Sequence, residues 1–226
     1  MLPFSREQFI AIFADYNAGV WPAQVVAYLL GLFIVVLLVR PFRDGGRILG
    51  AALAVTWIWT GIVYHGLYFS TINKAALGFA AFFVLQGIAL VWVGATRRLD
   101  ASHGRGRAAW LGWGLLIYAL VMYPLIGMAF GHRYPEMPMF GITPCPVTIF
   151  TFGVLLLVRP GVPWWVLVIP LVWSLIGGSA AFLLQVPQDW LLLLSGVIAA
   201  PMILRRAARG SAVGMSSGSI TRAGSR

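Results

Sequence analysis

Residues 75–96 read AALGFAAFFVLQGIALVWVGAT, and Arg97 and Arg98 follow directly. A transmembrane helix needs about 20 apolar residues to cross a hydrocarbon core about 30 Å thick. This stretch has that length and carries no charged side chain. Its hydrophobicity does not alternate, so it is no barrel strand. The stretch predicts a membrane-spanning helix that ends on a pair of arginines at a cytoplasmic interface.

Similar runs lie on both sides of it. With boundaries good to a few residues, they fall at 21–40, 47–70, 108–130, 144–158, 163–184 and 188–205. Of 226 residues, 60% are hydrophobic and only 10% charged, where a soluble domain has about a quarter charged. The fold class is therefore all-α: a polytopic membrane protein with seven transmembrane helices.

The net charge of +10 would suggest nucleic acid in a soluble protein. Here the basic residues sit at segment ends, where they set topology, and no nucleic-acid partner is expected. With the N-terminus outside, the inner side holds Arg40, Arg43, Arg47, Arg97, Arg98, Arg105, Arg107, Arg159, Arg205, Arg206, Arg209, Arg222 and Arg226. The outer side holds Arg6, Lys74 and Arg133. Thirteen against three selects N-out, C-in, which requires an odd number of spans. The N-terminus has no basic n-region followed by an apolar h-region, so the first span is expected to serve as the insertion signal.

Three parts follow. Residues 1–20 predict a short amphipathic helix on the outer membrane surface. Ser5 is its N-cap, Gln8 completes a capping box, and Phe4 and Phe9 occupy the staple positions. Phe9, Ile12, Phe13 and Tyr16 mark its apolar face. Residues 21–206 form the seven-helix domain. Residues 207–226, rich in Gly, Ser and Arg, read as a disordered basic cytoplasmic tail.

The fifth segment is short. Pro144 to Val158 makes roughly 22 Å of helix, and Arg159 and Pro160 pin its inner end. Its outer end is expected to begin below the surface. Thr143 suits the N-cap and Pro144 the N1 position; Cys145 and Pro146 follow in the first turn, where prolines break no helical hydrogen bond. The preceding HRYPEMPMFGI carries Pro135 and Pro138 and is not helical throughout. Such backbone is allowed at membrane depth only where protein or water covers it.

Cys145, the only cysteine, has two readings. It faces an outward vestibule, where a helix N-terminus favours thiolate and a soft-metal or redox role, or it is a small buried hydrophobe. His65, near the outer end of the second span, is a second metal ligand or hydrogen-bond donor, or simply a partner for a neighbouring helix. His132 joins them in a low-specificity metal set, Cys145, His65 and His132. Asn73, Tyr64, Thr143, Glu136, Met137, Met139, Gln24 and Gln86 fill out the candidate vestibule. The two glutamines also suit helix-to-helix hydrogen bonds. His103, in a basic inner loop, reads as solvated.

Absences narrow the class. No Asp or Glu is expected inside a span, which argues against a carboxylate proton relay. The only lysine, Lys74, lies in a loop, so a retinal protein is effectively excluded. No metalloprotease, nucleophile-elbow or phosphate-loop motif occurs. The small-residue run Gly177–Gly178–Ser179–Ala180–Ala181 suits packing within the bundle or between protomers of a homo-oligomer.

Taken together, PFSREQF, YNAGVWPAQ, YHGLYFSTIN, the Gln86–Gly87 pair, GHRYP and FGITPCPVTIFTFG make the chain resemble a bacterial family of multi-pass membrane proteins defined only as a domain of unknown function. The resemblance spans residues 2 to 205. It implies a bacterial inner-membrane location and transfers no catalytic residue.

The function expected first is binding or permeation of a small solute or soft metal ion through an outward-facing vestibule. A membrane-embedded redox protein or enzyme is the alternative. A lone in-membrane histidine argues against bis-His haem there and leaves a His/Cys or His/Met pair. A structural or accessory subunit is the third possibility.

Overall fold

The computed structural model describes residues 3–40, 43–96, 99–101, 106–159 and 161–223, the side chains of 100, 101, 180 and 208–223 excepted. His103, Arg97, Arg98, Arg105 and Arg226 lie outside the described residues, as do the side chains of Arg209 and Arg222.

The chain is helical nearly throughout. The capping box begins α1 (Arg6–Gly19) as its sequence dictates: the Gln8 amide donates to the Ser5 hydroxyl, and the Gln8 side chain accepts from the Ser5 amide. Phe4 and Phe9 stack with ring centroids 5.9 Å apart, closing the staple. Ile12, Phe13 and Tyr16 are buried. The chain then bends by 85° into α2 (Ala23–Val39).

Five helical stretches have the length and composition to cross a membrane. The first is α3 (Gly45–Trp59), extended by a π-helical segment Thr60–Tyr68 and a 3-10 turn to Thr71. The second is α4 (Ala76–Thr96). The third joins α5 (Arg107–Ile117), a π turn Tyr118–Met122 and α6 (Tyr123–Ala129). The fourth is a 3-10 turn leading into α8 (Val168–Leu184). The fifth starts at the 3-10 turn Pro187–Asp189 and opens α9 (Trp190–Ala223). All seven expected segments are therefore helical, although α2 (17 residues) and α7 (Pro144–Leu157, 14 residues) fall short of that length. The backbone of α9 continues past residue 207, through the segment whose composition reads as a tail.

The short helix α7 is the axis of the bundle. Every one of its residues except Cys145 is buried. Trp57 of α3 donates its indole N–H to Thr151 at 2.9 Å, and Phe140 packs edge-on against Phe150 with centroids 5.0 Å apart. The helix is apolar all round, which is the signature of a fully enclosed helix. At its far end, Arg206 donates to the Leu156 carbonyl, one of the acceptors a helix C-terminus leaves free. There β1 (Asp100–Ala101) pairs antiparallel with β2 (Val158–Arg159).

Helices α3 and α4 touch backbone to backbone. A methyl group at Gly50 would lie 2.6 Å from the Leu90 carbonyl oxygen, and one at Gly94 2.7 Å from that of Gly46. Small residues permit this approach, the usual device where lipid removes any hydrophobic drive between helices. Gly178 likewise sits against Leu193 of α9, so part of the small-residue run packs inside the bundle.

The connections sort to two ends. One carries Arg40, Arg43, Arg47, Arg107, Arg159 and Arg206. The other gathers α1, the segment 131–143 and the turn 185–189.

Candidate functional site

The second end holds a cavity of about 190 Å³. One wall is a ladder of rings from α1 with the residue before its cap and from the π and 3-10 segments that extend α3: Phe4, Phe9, Phe13, Tyr64 and Phe69. Their successive centroids lie 4.9 to 6.0 Å apart, in stacked and edge-to-face pairs. Phe79 of α4 and Trp173 of α8 form the opposite side, 5.4 Å apart and edge-on. The cavity reaches the surface beside α8, where Ile176, Ser179 and Leu183 are exposed.

Its polar part comes from the starts of α7 and α9 and the interior of α8. Thr143 takes the N-cap position of α7 in extended conformation, with Pro144 next, as the spacing predicts. Its hydroxyl does not cap. The third helical position is Pro146, which has no N–H to offer, and Thr143 donates instead to the Met139 carbonyl at 2.8 Å. Cys145 follows, partly exposed to the cavity. Its thiol lies against the carboxylate of Asp189, which sits just before α9, and the two interact electrostatically. On its other side Asp189 accepts from the Tyr123 hydroxyl. The indole of Trp173, 7% exposed, reaches the Cys145 sulfur through electrostatic contact, and its N–H has no well-aligned acceptor. Gly177 makes room for Leu192 and this pair: a methyl there would lie 2.7 Å from Leu192 Cδ2, 3.3 Å from Trp173 Nε1 and 3.4 Å from Cys145 Sγ.

Asp189 corrects the expectation that no carboxylate enters the apolar region. It is 6% exposed, at the first turn of the last span. Its position beside the N-terminus of α9 suits a carboxylate, because that end of a helix carries partial positive charge. A signal was present in the sequence: an acid directly ahead of the apolar run WLLLLSGVIAA, with no basic residue in the turn before it.

The sequence-selected residues divide. Cys145, Tyr64, Thr143 and Asn73 line the cavity. The others do not. His65 is fully buried behind the wall, boxed by Tyr64, Phe69, Phe79, Phe83 and Trp173 with ring centroids 4.8 to 6.0 Å away. Neither of its ring nitrogens has a hydrogen-bond partner among the described residues. His132 is held apart, its two nitrogens 3.4 Å from Arg6 Nη2 and 3.4 Å from Gln188 Nε2. Burial and the Arg6 guanidinium push its imidazole below the ordinary value, against a smaller upward pull from Gln188. The set Cys145, His65 and His132 is thus not one constellation. Among the described residues no three His, Cys, Asp or Glu side chains come together to hold a metal ion.

Gln24 and Gln86 do structural work rather than lining the cavity. Gln24 donates to the Asn17 carbonyl at 2.8 Å, near the end of α1 where helical carbonyls lack partners. Gln86 donates to the Val166 carbonyl at 3.0 Å, tying α4 to the turn before α8. Met137 is buried, Met139 packs against the α1 cluster, and Glu136 is exposed. The segment 131–143 is irregular: Gly131, Arg133, Tyr134 and Glu136 are exposed, and the stretch 137–143 is covered by protein. Asn17 donates to the carbonyls of Pro135 and Met137 at 2.7 and 2.8 Å, and Tyr16 to that of Ile142 at 2.7 Å.

Both π-helical segments border this site, one presenting Tyr64 and the other leading into Tyr123. Such segments occur disproportionately at functional sites.

A family model described as a family of unknown function (DUF6064) matches residues 6–212, and the chain belongs to that family. No curated protein and no solved structure matches it.

Proposed function

We propose that this member of the DUF6064 family is a seven-span protein of the bacterial inner membrane that binds a small, largely apolar solute in the aromatic cavity, reached from outside. Thirteen basic residues against three support the N-out, C-in orientation, which turns the cavity end outward. One observation carries the solute reading: an apolar cavity with a few convergent polar groups at one place, the usual anatomy of a ligand site. At about 190 Å³ it is smaller than the roughly 300–1,000 Å³ of drug-sized sites, so the solute is compact. The Cys145–Asp189 pair supplies a donor and an acceptor that orient it, while His65 and His132 stay out of reach. The solute arm is therefore favoured over a metal centre.

Cys145 is the natural reporter. A membrane-impermeant maleimide applied to intact cells is expected to label it, and Gly177→Val, which fills the space beside Sγ, to slow labelling at least severalfold in protein that remains folded by size exclusion. Labelling confined to inverted vesicles would overturn the orientation. Equal labelling of both variants would overturn the cavity as the route to Cys145.

A further inference from the structure

We infer that the ligand of this cavity is a small organic cation, an inference that rests on the solute-binding reading above. Asp189 is a buried carboxylate whose neighbours are a tyrosine hydroxyl and a thiol. Among the described residues the one ion pair is Arg47–Asp44, at the opposite end of the bundle. The cations of the cavity end are placed elsewhere: Arg6 donates to the Leu184 carbonyl at 3.1 Å and contacts His132, and Lys74 and Arg133 are exposed.

None of the residues lining the cavity is Lys, Arg or His. A buried carboxyl without a counter-charge is costly to ionise, and hydrogen bonds alone offset only part of that cost. The missing charge is one that a ligand can bring.

The walls fit the same ligand. Seven aromatic rings line the cavity, and a ring face attracts a cation within about 6 Å of its centroid, more strongly where water is excluded. An anion would meet both the carboxylate and the negative ring faces, and a neutral solute would leave the carboxylate uncompensated. A compact alkylammonium group satisfies the volume, the walls and Asp189 together. The Trp173 indole, nine-tenths buried with its N–H unpartnered, adds a donor for a hydroxyl or carbonyl on the same molecule.

The test compares two probes of one shape: (2-hydroxyethyl)trimethylammonium and its neutral carbon isostere, 3,3-dimethylbutan-1-ol. Binding is measured by calorimetry on the full chain in neutral detergent, with protection of Cys145 from N-ethylmaleimide as a second readout. The cation is expected to bind roughly tenfold or more tightly than the isostere. Asp189→Asn keeps an acceptor for Tyr123 and is expected to abolish the difference between the two probes. Phe9→Leu, away from the carboxylate, is expected to reduce the cation's advantage severalfold. Equal affinity for the two probes, or a preference that survives Asp189→Asn, would overturn the cation and leave the solute-binding cavity standing. If neither probe binds nor protects Cys145, both proposals fall.

Discussion

The contact between α3 and α4 yields a prediction with opposite signs at neighbouring glycines. A methyl group at Gly50 would stand 2.6 Å from the Leu90 carbonyl oxygen, where ordinary contact begins at 3.4 Å. The obstacle is backbone, so relief requires the two helices to part by about 0.8 Å. Overpacking of this kind costs about 1–3 kcal/mol, and alanine recovers at most about 1 kcal/mol over glycine through helix propensity. Gly50→Ala is therefore expected to destabilise by up to about 2 kcal/mol, and Gly94→Ala, facing the Gly46 carbonyl at 2.7 Å, to do the same. Gly78 and Gly114 lie in helices α4 and α5 with nothing within 4 Å of the added carbon. There the propensity gain stands alone, and alanine is expected to stabilise by up to about 1 kcal/mol. The assay is the apparent Tm of the four variants in one mild detergent, where each kcal/mol corresponds to about 2–4 °C for a chain of this size. Gly50→Ala and Gly94→Ala should fall below wild type, and Gly78→Ala and Gly114→Ala at or above it. Wild-type or higher stability for Gly50→Ala and Gly94→Ala would refute the close approach of the two backbones.

Two further predictions concern the segment over the cavity end. Asn17→Ala removes both donors to the Pro135 and Met137 carbonyls; at about 1 kcal/mol for each hydrogen bond, a loss of about 2 kcal/mol and faster proteolysis within 131–143 are expected, and unchanged proteolysis would show that Asn17 does not anchor it. His132 is held below its ordinary value by burial and Arg6, so its contribution is complete above about pH 6.5 and is lost as pH falls from there through the lower folded value. Apparent Tm should drop between pH 8 and pH 5.5 in wild type and drop less in His132→Gln, and parallel curves would remove His132 as the cause.

The bundle was legible in the sequence because each span leaves a local signal. The uncharged run of α4, the arginine pairs and the capping box of α1 are properties of neighbouring residues, and the structure has helices at all seven expected segments. The cavity is a different kind of object. Its aromatic wall joins α1 to a stretch some sixty residues later, and its polar part joins the starts of α7 and α9. Tyr64, Asn73, Thr143 and Cys145 stood out through unusual local context. Asp189, at the edge of the apolar run 188–205, has no local feature that shows it is buried; that follows only from the packing of α6, α7 and α8 around the turn before α9. Trp173, within the apolar run of α8, carries no local signal that sets it apart. Gln24 and Gln86 were assigned to the vestibule because polar groups in spans draw attention, whereas their amides serve backbone carbonyls that a helix end and a 3-10 turn leave unpaired.

The enclosure of α7 separates its length from the membrane around it. A lipid-facing helix answers to bilayer thickness by tilting or by deforming the lipid, at fractions of a kcal/mol for each Å of mismatch. Helix α7 meets protein on every side, so acyl-chain length acts on it only through its neighbours. In bilayers of different thickness the peripheral helices can change tilt while α7 holds its depth, and Cys145 with it.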